Sequence, residues 1–146
     1  MATTIAEHQA AITAAYETYL AELKLAGPKW ELAPPAGEGE EAWCARQVAE
    51  HIAGAATFFG AGIAGALSIE GPGRFQPSFA SAAEAVAATP EAHAKFMAVV
   101  GQVPEDKVAM EIDAPRLGKT TIGGIMGIVA HHLEDHAGQL RALREG

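Results

Sequence analysis

Apolar residues recur every three or four positions in four stretches of the chain, and this period predicts α-helices. The first helix is expected to begin at Thr4, because Glu7 three residues later completes a capping box. From the N-terminus onward, the predicted helices cover residues 4 to 26, 40 to 67, 81 to 100 and 120 to 144. Four long helices without an internal repeat predict one all-α domain over residues 1 to 146, a four-helix antiparallel bundle of the up-down type. The loops at 66 to 80 and 101 to 119 are long enough to permit a crossover instead.

The third helix contains a proline at a position that favours a new helix start. In Thr89-Pro90-Glu91 an N-cap residue precedes a proline at the first helical position and an acid in the first turn. We therefore predict that this helix is kinked or split near Pro90. Residues 101 to 118 have no helical period and are predicted to be irregular, with a brief extended segment at 108 to 112.

The composition excludes several classes of protein. The formal net charge is −8 and the isoelectric point lies near 5.1, whereas binding to nucleic acid needs clustered Lys and Arg. A single cysteine, Cys44, excludes an internal disulfide and a cysteine-based zinc site. The first ten residues lack the basic and apolar regions of a secretory signal, and the weakly polar stretch 52 to 69 has the spacing of a buried helix. We expect a soluble, cytoplasmic protein that binds neither nucleic acid nor membrane.

Three histidines lie on the apolar faces of predicted helices. His132 and His136 are four residues apart, so they differ by about 40° around the helix and about 6 Å along it, and both can reach one ion. His51 lies within the apolar stripe of the second helix, whereas His131 points about 100° away from its own helix's stripe. Buried imidazoles need polar partners, and one divalent metal would satisfy all three. The sequence thus predicts a metal site at His51, His132 and His136, with His8 and His93 outside it.

Other interpretations of these residues stay open. A histidine on an apolar face is often a hydrogen-bonded core residue, and six histidines make a chance His-x-x-x-His pair common enough that the spacing alone is not specific. Cys44 lies two turns before His51 and is interpreted as a buried, inert thiol. Gln139, three residues after His136, is the candidate for a catalytic role, by orienting a ligand or by binding substrate.

Two segments resemble the DinB-like family, which includes the YfiT-like metalloenzymes. WCARQVAEH, which ends at His51, is similar to that family's second helix, where a Trp precedes a His on one face. GKTTIGGIMGIVAHHLEDHAGQLRAL resembles its closing helix and contains His-x-x-x-His-x-x-Gln-Leu. The resemblance implies a DinB-like bundle whose three metal-binding histidines fall on His51, His132 and His136. In the related mycothiol-dependent maleylpyruvate isomerases a Glu replaces the first histidine of the final pair. His132 at that position therefore favours the three-histidine branch.

The resemblance also implies thiol chemistry, because relatives include S-transferases that use mycothiol or bacillithiol. We expect a metal-dependent transferase or hydrolase for a small-molecule substrate, with a divalent metal ion (Zn, Ni or Fe) and a low-molecular-weight thiol as cofactors. Three imidazoles leave a coordination position open, which is typical of catalytic metals. The alternative is a non-catalytic, metal-binding or stress-related helical bundle.

Glycines are unusually frequent in the second and fourth predicted helices. Each weakens a helix by up to about 1 kcal/mol relative to Ala, and close approach of another helix is the usual compensation. The residues concerned are Gly54, Gly60, Gly62, Gly65, Gly123, Gly124 and Gly127. We predict a homodimer packed through these helices. The alternative is that the glycines tighten the core of one chain or make room for substrate.

Overall fold

A computed structural model describes residues 3–34, 37–114 and 117–146 of the chain. Four α-helices and one β-hairpin make up most of this part, so the predicted all-α, four-helix fold is confirmed. The helices are α1 (Ile5–Lys24), α2 (Ala45–Leu67), α3 (Ala82–Val100) and α4 (Ile122–Glu145), and the strands are β1 (Glu111–Ala114) and β2 (Gly118–Thr121). Short 3₁₀ turns lie at Gly27–Lys29, Gly39–Ala42 and Glu105–Lys107. Among the described residues, no helix combines the length and hydropathy that crossing a membrane would need.

The helix starts agree with their local sequences. Thr4 accepts a hydrogen bond from the Glu7 N–H at 3.1 Å, and the Glu7 carboxylate accepts one from the Thr4 N–H at 3.0 Å, which is the predicted capping box. Ser81 caps α3 by accepting from the Glu84 N–H at 3.2 Å. These local bonds satisfy N–H groups that have no partner within the helix, and so they define where each helix begins.

The helices do not follow the simple up-down order. α1 packs against α4 and α3, and α2 packs against α3 and α4, whereas α1 with α2 and α3 with α4 make few contacts. The order around the bundle is therefore α1, α4, α2, α3, so the connections from α1 to α2 and from α3 to α4 join helices that are not neighbours. Of the two loops that could permit a crossover, the one at 66 to 80 joins α2 and α3, which are neighbours in the bundle. This order is what places α2 beside α4, the two helices that carry the candidate histidines.

The core contains few aromatic side chains and many small or aliphatic ones. Its largest fully buried members are Tyr19, Phe96, Ile12, Leu23, Ile63, Ile122, Ile125, Met126, Leu140, Val48 and Val100. They come from all four helices. Full burial of one large apolar side chain stabilises the fold by about 1.5–3 kcal/mol, and together these residues hold the helices in contact.

The third helix is continuous, so the split predicted at Pro90 is not present. Pro90 lies inside α3, where it cannot donate the helical hydrogen bond to the Val86 carbonyl. Buried neighbours on either side, Thr89 and Ala92, keep this turn packed against the bundle. A kink at Pro90 stays a prediction.

A hairpin replaces part of the irregular segment predicted before the last helix. β1 pairs antiparallel with β2, with Glu111 opposite Thr121 and Ala114 opposite Gly118. The extended segment thus begins three residues later than predicted and has a partner strand; residues 115 and 116 of that segment lie outside the described part. Because residues 118 to 121 belong to the hairpin, α4 begins at Ile122 rather than near residue 120.

The glycines of α2 and α4 divide into two groups. A Cβ at Gly60 would lie 3.2 Å from Pro72, and one at Gly123 would lie 2.7 Å from Val108, so these two tighten packing within the chain. At Gly62, Gly65 and Gly127 no heavy atom lies within 4 Å of such a Cβ. Packing within one chain therefore accounts for only part of the glycine content, and the homodimer stays a prediction.

Candidate metal centre

The structure brings His51 of α2 together with His132 and His136 of α4. The Nε2 atoms of His51 and His132 are 2.9 Å apart, and those of His132 and His136 are 3.1 Å apart. Donor atoms bound to one ion at about 2.0–2.2 Å lie about 2.8–3.1 Å from each other at a right angle and about 3.3–3.6 Å at the tetrahedral angle. Both separations fit two ligands of one divalent cation, and ligand atoms of all three histidines lie within 4.8 Å of one another.

Aromatic side chains hold the imidazoles in place. The Trp43 ring lies 4.9 Å from the His51 ring and 6.2 Å from the His136 ring, nearly parallel to the latter. Phe59 packs edge-to-face on His132 with ring centroids 6.3 Å apart. Because α2 begins at Ala45 rather than near residue 40, Trp43 lies outside the helix, directly after the 3₁₀ turn Gly39–Ala42. In that position its ring covers the histidines from the loop side.

Gln139 determines which nitrogen of His136 carries the proton. Its Nε2 donates a hydrogen bond to the main-chain carbonyl of Glu40 at 2.6 Å, so its Oε1 faces the Nδ1 of His136 at 2.7 Å. A carbonyl oxygen only accepts, and the Nδ1 must therefore donate. In the neutral ring this leaves a lone pair on Nε2, the atom that faces the other two histidines. Gln139 thus holds the ring of a candidate ligand by a hydrogen bond, and its role in catalysis or substrate binding stays a prediction.

The electrostatics of the cluster also favour a cation. Burial, together with the neighbouring His136 and His51, lowers the pKa of His132 to about 4. His132 is therefore neutral at physiological pH, the form in which imidazole binds metals. Ring nitrogens with lone pairs directed at one another repel unless a proton or a metal ion lies between them. The donor set of this centre therefore fits a divalent cation.

A carboxylate that the sequence analysis missed completes the cluster. Oε1 of Glu40 lies 3.5 Å from Nε2 of His51 and 3.8 Å from Nε2 of His136. One ligand atom from each of Glu40, His51, His132 and His136 can be chosen so that all four lie within 4.8 Å of one another. Glu40 lies in the 3₁₀ turn Gly39–Ala42 that precedes α2, and its neighbours Glu38 and Glu41 are equally acidic. No sequence signal distinguished it from them.

The remaining candidates lie where they were expected. The side chain of His131 is 75% exposed and pairs with Asp135 at 3.1 Å. His8 and His93 are not members of the cluster found among the described residues. Cys44 is buried at the N-cap of α2, and it is not a member either. Its predicted burial is confirmed, and its inertness stays a prediction.

A cavity of about 640 Å³ opens beside the histidines. Its polar and charged lining comprises Lys29, Glu40, Glu41, His132, Asp135, His136 and Gln139. Its apolar lining includes Leu32, Ala33, Pro34, Ala142 and Leu143. A small organic molecule fits in this volume with one end at the metal centre and an apolar part against the wall.

The buried imidazole of His93 should make the stability of the fold depend on pH. Its ring stacks on Tyr16 with centroids 3.6 Å apart, and burial lowers its pKa from 6.5 to about 4. Between these values the unfolded chain binds the proton that the folded chain excludes, so stability falls as pH drops from 6.5 toward 4. His93→Phe keeps an aromatic ring against Tyr16 but cannot be protonated. Urea midpoints at pH 7.5 and pH 5 are expected to differ less for His93→Phe than for wild type. If the urea midpoint changed equally with pH in both proteins, His93 would not be a source of the pH dependence.

Comparison with known families agrees with this architecture. The sequence model of the DinB superfamily matches residues 4–140, which include all four members of the cluster. Comparison with curated proteins and with solved structures gives no match. The match therefore shows the family and the fold, whereas the residues of the centre determine the chemistry.

Proposed function

Because the chain belongs to the DinB superfamily, we propose that it is a metal-dependent enzyme that holds one divalent cation on His51, His132 and His136. The observation that carries the proposal is the convergence of three imidazoles, two of which line a cavity of about 640 Å³. A structural metal site is closed by its protein ligands, whereas a catalytic site keeps a position open to substrate. The cavity supplies that access here.

The proposed reaction is a thiol-dependent S-transfer, with hydrolysis as the second reaction of the same centre. A divalent cation bound at such a site lowers the pKa of a thiol or a water, so that the nucleophile is present at neutral pH. The thiol sulfur then attacks an electrophilic carbon, the leaving group departs with the bonding electrons, and the thiol proton passes to solvent. In hydrolysis a water oxygen takes the place of the sulfur.

The chain's own residues bind and orient the reactants in this proposal. His136, 5% exposed and hydrogen-bonded to Gln139, presents Nε2 in a fixed direction. Leu32, Pro34 and Leu143 offer apolar surface to the body of a substrate. Lys29, also in the lining, donates hydrogen bonds to the main-chain carbonyls of Arg144 and Gly146. It therefore holds the cavity wall together and adds one positive charge near the substrate.

A turnover assay tests the proposal. Purified protein loaded with Zn²⁺, Ni²⁺ or Fe²⁺ is mixed with mycothiol, bacillithiol or glutathione and an alkyl halide, and thioether formation is followed by mass spectrometry. We expect turnover that requires the metal and that is lost in His132→Ala. It should persist in His131→Ala, because the side chain of His131 is 75% exposed.

Ester and amide substrates assayed in the same way test the hydrolytic reaction. Tight metal binding without turnover on either substrate class would contradict the enzymatic proposal and leave a non-catalytic, metal-binding bundle.

A further inference from the structure

The 3₁₀ turn Gly39–Ala42 carries a carboxylate to the solvent side of the three histidines. Oε1 of Glu40 is 3.5 Å from Nε2 of His51 and 3.8 Å from Nε2 of His136. Its side chain is 57% exposed, and Glu40 lines the cavity, whereas the side chain of His136 is 6% exposed. The carboxylate thus borders both the imidazoles and the space that a substrate would occupy.

The backbone at Glu40 is anchored to the same centre. Its carbonyl accepts hydrogen bonds from Nε2 of Gln139 at 2.6 Å and from the N–H of Trp43 at 3.2 Å. Gln139 also accepts from Nδ1 of His136, and the Trp43 ring lies against His51 and His136. One amide and one indole therefore fix the position of the turn relative to two of the imidazoles. A chance approach of a mobile surface side chain would not have these bonds.

Other acidic side chains near the centre have different positions. Asp135 also lines the cavity, but its carboxylate pairs with His131 at 3.1 Å and it is not a member of the cluster found among the described residues. Glu41 lines the same cavity, yet it is not a member of the cluster found among the described residues. Glu41 is exposed and adjacent in sequence, and it is therefore a matched control for Glu40.

The chemistry of the donor set explains why a carboxylate belongs there. Three neutral imidazoles leave a divalent cation with its full charge, and a carboxylate oxygen is a common ligand beside histidines for Zn²⁺. Donor atoms around one ion lie about 2.8–3.6 Å apart, so the 3.8 Å separation of the Glu40 oxygen from Nε2 of His136 has to shorten by a few tenths of an ångström. Its exposed side chain permits that movement.

We infer that Glu40 is a fourth ligand of the cation, and that an incoming thiol displaces it from the position facing the cavity. This inference rests on the metal site of the proposed function. This ligand exchange needs no further reactant. The thiol binds as a thiolate after its proton has passed to solvent, and the Glu40 carboxylate dissociates as an anion. Glu40 then keeps solvent and adventitious ligands from that position until substrate arrives.

Metal binding measured without turnover tests the first part. Zn²⁺ affinity is determined by competition with a chromophoric chelator for wild type, Glu40→Gln and Glu41→Gln. Loss of residues that only support a ligand lowers metal affinity about 10- to 100-fold, so Glu40→Gln is expected to bind Zn²⁺ at least about 10-fold more weakly. The visible absorption of bound Co²⁺ is also expected to change in Glu40→Gln, and Glu41→Gln should match wild type in both measurements. Thermal melts of the metal-free proteins verify that the variants fold.

Thiol titration tests the displacement. With Co²⁺ bound, 2-mercaptoethanol is expected to produce a sulfur-to-cobalt charge-transfer band at a lower concentration in Glu40→Gln than in wild type, because no carboxylate has to leave. An equal concentration would overturn the displacement, and equal Zn²⁺ affinity with an identical Co²⁺ spectrum would overturn the ligand assignment. Failure of wild type to bind any metal would overturn both the inference and the proposed function. Absence of turnover with a clear Glu40 effect would overturn the enzymatic proposal alone.

Discussion

His136→Ala is expected to lower the affinity for a divalent cation by about 100-fold or more, because removing residues that merely support a ligand already costs about 10- to 100-fold. The imidazole of His136 is buried, its Nε2 lies 3.1 Å from that of His132, and its Nδ1–H is the donor to Gln139. The variant therefore removes a ligand and also leaves the Gln139 oxygen without this donor. Competition with a chelator at pH 7.5 and metal analysis after dialysis measure the loss.

The matched control is His131→Ala on the same helix. His131 is the immediate neighbour of His132, but its side chain is 75% exposed and contacts Asp135. We expect wild-type affinity in this variant. Metal at 100 times its dissociation constant stabilises a protein by about 2.7 kcal/mol, so added Zn²⁺ should raise the melting temperature of wild type and His131→Ala but not of His136→Ala. Retention of wild-type affinity by His136→Ala would show that the cluster is a hydrogen-bonded core and not a metal site.

Gly123→Ala is expected to destabilise the fold by about 1–3 kcal/mol, the usual cost of overpacking. The added methyl would lie 2.7 Å from Cγ1 of Val108 and 3.2 Å from the Val108 carbonyl oxygen. The chain cannot move apart cheaply there, because the Gly123 N–H donates to that same carbonyl at 2.8 Å. Val is β-branched and has little rotamer freedom with which to relieve the contact. Thermal melts should show a decrease of about 3–10 °C.

Gly138→Ala is the control for that variant. Gly138 is also in α4, yet no heavy atom lies within 4 Å of a Cβ built there. Ala in an exposed helical position is up to about 1 kcal/mol more favourable than Gly, so this variant should be as stable as wild type or more stable. Both variants retain the three histidines and should bind metal normally. Equal destabilisation by the two substitutions would mean that helix propensity and not the contact with Val108 determines the effect.

Features that depend on neighbouring residues were determined by the sequence alone. The capping box at Thr4 and Glu7 is closed by residues three positions apart, and it formed as predicted. His132 and His136 lie on one face because the helical repeat places residues four apart close together. The same helical repeat placed these two histidines on the apolar face of α4. Such features need no information about the rest of the chain.

Features that depend on distant residues were decided only by the tertiary structure. The meeting of His51 with His132 requires α2 to lie beside α4, and the order of helices around the bundle depends on the packing of whole faces. Glu40 reaches the cluster because Gln139, 99 positions away, binds its carbonyl, and nothing in the acidic run around Glu40 indicates this. Local preference was also overridden at Pro90, where burial of the flanking Thr89 and Ala92 keeps α3 continuous. Long-range contacts bring together residues that no period or spacing relates, and for this reason the fourth member of the centre came from the structure.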